Sequence, residues 1–182
     1  MENNIVLKIN EYKISSTDCF FFDNNVWMFL FCPLGNYQKK KQKAYSQFFS
    51  DILTHRASIC INSLVLSEFA NTYLRLDYQL WKKAPEYCCA DYKRDYLHSK
   101  QYSMTTLSVQ AAMRSILKIS ERMPDNFNSV DMDLIFDHFK TIDFNDSYFI
   151  EYCRSCGKNM LFVSDDKDFS KIDCCKVKVL TI

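Results

Sequence analysis

The run N-M-L-F-V-S-D-D-K-D-F at 159–169 ends an apolar stretch in three aspartates within four positions, Asp165, Asp166 and Asp168. Carboxylates crowded in this way repel one another, so each is driven toward protonation or toward a shared cation. The pairing of an apolar run with an acid recurs along the chain. Asp23 follows F-F-F at 20–22, Glu68 lies about a turn into the helical pattern after A-S-I-C-I, and Asp146 starts a helical pattern upstream of M-L-F-V. Clustered oxygen donors suit Mg²⁺ or Mn²⁺, hard cations that keep several waters and are held by a few carboxylates together with substrate phosphates. Such a centre activates water and stabilises charge on phosphorus during in-line displacement. Asp23, Glu68 and Asp146 are the candidate metal ligands, Asp166 completes the acidic pocket, and the Ser164 hydroxyl and Asn25 amide are placed to orient ligands or water.

Each residue also has a plainer reading. Asp146 alone reads as a helix cap, and Glu68 alone as an exposed helix charge. Asp165 points away by strand alternation, and Asp168 fits a turn in which it caps backbone amides. The case for chemistry therefore depends on whether the elements carry these acids to one place.

M-L-F-V is uniformly apolar, as suits a short strand covered on both faces, and its acids then fall at the C-terminal edge where ligands bind in open α/β sheets. F-F-F at 20–22 reads as the first strand, followed by a helix over N-N-V-W-M-F-L-F. The basic segment 36–56 sets Tyr45, Phe48, Phe49 and Ile52 at helical spacing, with Lys39, Lys40, Lys41 and Lys43 clustered near its start. That cluster reads as a solvated helix face, with contact to RNA phosphates as the alternative. A-S-I-C-I is the second strand and runs into a helix carrying Leu64, Leu66, Phe69, Leu74 and Leu76. Residues 77–127 read as an inserted helical hairpin closed by Pro124 and Asn126. A helix over 129–142 opens on a serine cap, and the next is capped by Asn145 or Asp143 and stopped by Gly157. V-K-V-L-T-I is the final strand. Strand and helix in alternation predict an α/β fold, a mainly parallel central sheet with helices on both faces and an inserted helical hairpin. Parallel neighbours would gather all four acids at one edge.

Composition narrows the classes. At 182 residues, 48% hydrophobic and 15% aromatic, the chain is long enough for one domain with a real core. A net charge of +1 favours neither nucleic acid nor membrane, and two glycines, Gly35 and Gly157, leave no glycine-rich phosphate loop. The N-terminus lacks a secretory pattern and no apolar run reaches spanning length, so the expected location is the cytoplasm, away from membranes. The nine cysteines fit a reducing compartment. Cys153 and Cys156 with Cys174 and Cys175 form a conceivable zinc set, but the first pair falls on a helix and reads better as small buried hydrophobes. His55, His98 and His138 share no ligand spacing, which argues against a histidine-based hydrolase.

Four blocks in order carry a resemblance: F-F-D-N-N-V-W at 21–27, L-V-L-S-E at 64–68, N-D-S-Y-F-I-E-Y-C at 145–153 and F-V-S-D-D-K-D-F at 162–169. They resemble the D-T-N-x-x, x-S-E-L, D-A-x-x-A-A-x-A and V-T-x-D-x-D-F blocks of the PIN-domain ribonucleases, which include the toxins of many bacterial toxin–antitoxin modules. The resemblance spans about 18–182, with the insertion at about 77–127 where the family carries a small helical subdomain. Asn24 stands in place of the usual threonine and Ser147 in place of the usual alanine. Residues 1–17 form an N-terminal extension without counterpart in the compact toxins. The resemblance implies a magnesium- or manganese-dependent endoribonuclease acting through Asp23, Glu68, Asp146 and Asp166. The partners it implies are RNA, a cognate antitoxin protein and a second copy of the chain. The alternative is a catalytically silent module of the same fold that binds RNA or a protein.

Overall fold

The computed structural model describes residues 5–156, 160–172 and 177–182. Gly157, expected to stop a helix, and Cys174 and Cys175 lie outside the described residues. Six strands form one sheet: β1 (Ile5–Lys8), β2 (Cys19–Phe22), β3 (Ser58–Ile61), β4 (Glu121–Arg122), β5 (Met160–Val163) and β6 (Lys178–Thr181). Their order is β1-β6-β5-β2-β3-β4, and every pairing is parallel. The helices are α1 (Asn24–Phe31), α2 (Lys39–Thr54), α3 (Ser63–Trp81), α4 (Lys100–Ile119), α5 (Met132–His138) and α6 (Phe144–Ser155). The architecture is the expected α/β one.

β2 and β5 are buried along their whole length, which explains why neither alternates polar with apolar residues. Successive strand side chains point to opposite faces, and the rings of β2 record what covers each. Phe20 meets Phe48 of α2 edge-to-face at 5.5 Å, and Phe22 meets Trp27 of α1 at 5.1 Å. Phe21 on the other face meets Phe149 and Tyr152 of α6 at 5.6 and 5.1 Å. Helices α1 and α2 thus cover one face and α6 the other.

The inserted hairpin has α3 and α4 as its legs, so residue 77 falls inside α3 rather than at a boundary. Buried Asp77 ties the legs together. Its carboxylate accepts from Tyr96 Oη at 2.6 Å, Gln101 Nε2 at 2.9 Å and Thr105 Oγ1 at 2.8 Å. After α4 the chain forms the two-residue strand β4 beside β3, within the span expected to be a helical hairpin. Asn126 then turns with a left-handed φ of 54°. Residues 5–8 of the N-terminal extension form an edge strand on β6. One further expectation is corrected: α5 is capped by Asp131 rather than a serine, its carboxylate accepting from the amides of Asp133 and Leu134.

Candidate functional site at the acidic strand edge

The register of β2 against β5 fixes the centre of the site. Phe22 pairs with Val163, so the next residues, Asp23 and Ser164, leave the sheet side by side; the Asp23 amide still bonds the Val163 carbonyl at 2.9 Å. Asp23 is the N-cap of α1 and accepts from the Asn24 amide at 2.6 Å. Its other oxygen accepts from Asn25 Nδ2 at 2.5 Å and Ser164 Oγ at 2.7 Å. Asn25 Oδ1 in turn accepts the Asp165 amide at 3.1 Å, and Ser164 Oγ accepts the Asp166 amide at 3.1 Å. Asn25 and Ser164 therefore hold the β5 acid loop against Asp23.

Glu68 enters from α3, whose N-cap Asn62 follows β3 directly and bonds the Val65 amide. The Glu68 carboxylate accepts from Asn24 Nδ2 at 3.4 Å and Asn145 Nδ2 at 3.3 Å, and Asn24 Nδ2 also reaches Thr72 Oγ1 at 3.1 Å. Asn24, where the resembled family has threonine, thus bridges α1 to α3. Its Oδ1 is buried without a hydrogen-bond partner among the described residues. Asp146 is not the cap of α6. Asp143 is, its carboxylate accepting the Asp146 amide at 2.9 Å, which leaves the Asp146 side chain uncommitted to the backbone.

Electrostatics shows that these acids share one environment. Burial pushes Asp23 up to about 7; the Ser164 bond and the Asn24 amide oppose this, while Glu68 and Asp166 push further upward. Asp146 is pushed up to about 8, first by burial and then by Asp23, Asp143, Asp166 and Glu68. Glu68 is also raised, by burial and by Asp143, against the bonds from Asn24 and Asn145. Among the described residues no salt bridge reaches Asp23, Glu68 or Asp146.

The neighbouring aspartates have other tasks. Asp165 does turn away from the acids: it binds Lys41 Nζ at 2.5 Å and receives the Tyr45 hydroxyl at 3.3 Å. The amide-capping carboxylate of this turn is Asp166, which accepts the Asp168 amide at 2.8 Å, whereas Asp168 pairs with Lys171. Sequence reasoning missed Asn145 as a partner of Glu68 and Lys41 as a partner of Asp165. Neither has a local signal, since both contacts join distant segments.

The donor set suits a hard divalent cation, but its placement does not yet enclose one. Among the described residues, no three His, Cys, Asp or Glu side chains are gathered as they would be around a metal ion. The same holds for the thiols: Cys153 is buried, and Cys156 receives the Asn126 amide at 3.6 Å. A separate cavity of about 910 Å³, lined by Trp81, Tyr87, Arg94, Lys100 and Met104 among others, lies at the far end of α3 and includes none of the four acids. No helix of the described residues is long and apolar enough to cross a membrane. No protein-family model matches the sequence, and none of the curated proteins matches it significantly.

Proposed function

We propose that the chain is a metal-dependent endoribonuclease of the PIN-domain type, with the acidic strand edge as its active centre. The observation that carries this reading is that Asp23, Glu68 and Asp146 are all raised, first by burial and then by neighbouring carboxylates, with no salt bridge to any of the three among the described residues. A buried Asp23 with half-buried Glu68, Asp146 and Asp166 around it is costly to ionise unless something positive joins the group. Asp23, Glu68, Asp146 and Asp166 would hold a Mg²⁺ or Mn²⁺ ion, which would supply charge neutralisation on the phosphate and an activated water. The residues of the chain itself do the rest. Ser164 and Asn25 hold Asp23 in orientation, Asn24 and Asn145 hold Glu68, and the Asp143 cap fixes the start of α6 and with it Asp146.

A second reading is favoured by a specific observation. As placed, the carboxylates do not close around an ion, and this arrangement suits a catalytically silent module that binds RNA or a protein better than it suits a loaded metal centre. Cleavage of a panel of structured RNAs in Mn²⁺ or Mg²⁺ separates the two. The nuclease reading expects cleavage by the wild type and none by Asp146→Asn with its fold retained. Equal cleavage by both proteins would remove the assignment, and binding without cleavage would establish the silent module.

A further inference from the structure

The acidic edge is bordered on its two sides by unlike surfaces, and neither has a structural explanation. On the face covered by α2, that helix begins Lys39-Lys40-Lys41, with Lys43 following. Positive charge in a first turn opposes the helix dipole. Here it is softened neither by a side-chain cap nor by an acid in that turn. Lys41 is bound to Asp165, one residue from Asp166, which anchors this turn beside the acids. Lys39, Lys40 and Lys43 are exposed, and no ion pair engages them among the described residues. A helix start that breaks the local rule at the rim of a candidate site is where function is expected to override stability.

On the face covered by α6, the rim is aromatic. Phe136 and Phe139 are each 53% exposed and Phe144 is 38% exposed; Phe139 and Phe144 meet edge-to-face at 5.9 Å. Phe144 immediately precedes Asn145, which bonds Glu68, and Asp146 follows. Between 127 and 144 the large exposed apolar side chains are all phenylalanine, while the aliphatic Val130, Ile135 and Ile142 are buried. This segment buries three of its aliphatic groups and offers rings to solvent. Rings accept any nucleobase by stacking, and only unpaired bases expose their faces for it.

We propose that an unpaired RNA strand crosses the acidic edge from one face of the sheet to the other, with its phosphates against Lys39 and Lys40 and a base stacked on the Phe139–Phe144 pair. This rests on the RNA-directed reading given above. The lysines offset the repulsion that four carboxylates exert on a polyanion, and the rings hold a base next to Asp146 without selecting its identity.

The test is fluorescence anisotropy of a labelled, unpaired oligoribonucleotide of mixed sequence, in Ca²⁺ and over a range of salt. Lys39→Glu with Lys40→Glu should weaken binding and flatten the dependence of log affinity on log salt by about 0.7 for each phosphate left without its lysine. The same variant should unfold at an equal or higher temperature, because acids replace lysines in the first turn. Phe139→Ala with Phe144→Ala should weaken binding roughly tenfold or more, leaving the salt slope unchanged. The Phe→Leu pair should lose about as much, since leucine keeps the apolar bulk but not the stacking face. Wild-type affinity in the lysine and alanine variants overturns this inference alone. Full rescue by leucine, or a ring-dependent self-association with RNA affinity untouched, also overturns the stacking role. Failure of the wild type to bind any RNA overturns both this inference and the function proposed above.

Discussion

Replacing Asp23 by Asn should change stability with a sign that depends on pH. The folded protein holds the Asp23 proton more tightly than the unfolded chain does, at about 7 against an ordinary 3.8. Between those values the native state binds more protons, so the stability contributed by this group is full below about pH 4 and is lost as pH rises through about 7. The difference of roughly three pKa units corresponds to at most ~4 kcal/mol at ~1.4 kcal/mol per unit. Asparagine carries none of this cost. It keeps one acceptor for the Asn24 amide but presents an NH₂ where Asn25 Nδ2 and Ser164 Oγ now donate, which costs about 1–2 kcal/mol at any pH. The metal-free variant should therefore be less stable than wild type by about 1–2 kcal/mol below about pH 4, nearly equal to it near pH 5, and more stable by at most about 2–3 kcal/mol near pH 9. For a chain of this length the gain at pH 9 is at most roughly 4–12 °C in Tm. Urea unfolding monitored by circular dichroism from pH 4 to 9, in a chelator, reads the difference directly. Two parallel curves, with the variant below wild type throughout, would refute the claim that Asp23 is ionised at a cost.

Three further outcomes follow from the same contacts. Asp143→Ala removes the cap of α6 and should lower stability by about 1 kcal/mol; it also removes a charge that pushes Asp146 and Glu68 upward, so any cleavage should keep its rate to lower pH than in wild type. Asp77→Ala strands the donors of Tyr96, Gln101 and Thr105 in the hairpin and should cost ~3 kcal/mol, whereas Asp77→Asn should cost clearly less; equal Tm values for the two variants would refute the network's role. Because Asp23 and Asp146 hold protons up to about 7 and about 8, Mn²⁺ must displace them on binding, so its affinity measured by calorimetry should rise from pH 6 to pH 8 with proton release. Affinity that is flat across this window would contradict the raised values.

The parts of this structure that could be read from sequence were those with strong local signatures. Continuous apolar runs marked β2, β3 and β5, and the acid after each run, or in the helix that follows or precedes it, marked the candidate site. Local patterns failed where tertiary context decides. Glu121 and Arg122 carry no strand signal; they become β4 because the end of α4 delivers them beside Cys60 and Ile61. The first residues gave no hint of β1 because an edge strand is defined by its partner, here β6. Asp131 rather than a serine caps α5, and Asp166 rather than Asp168 takes the amide in the acid turn; in both cases several side chains of similar chemistry compete within three positions. The bridges Asn24–Thr72 and Lys41–Asp165 join residues far apart in the chain and had no pattern to reveal them.

The central claim is that Asp23, Glu68, Asp146 and Asp166 act together on a divalent cation. Thermal unfolding with and without millimolar Mn²⁺, for wild type and a Glu68→Gln, Asp166→Asn double variant, tests it most directly. A ligand that binds only the native state raises its unfolding temperature by mass action. The account predicts a clear rise for wild type and none for the double variant. No rise for wild type, or an equal rise in both proteins, would contradict it.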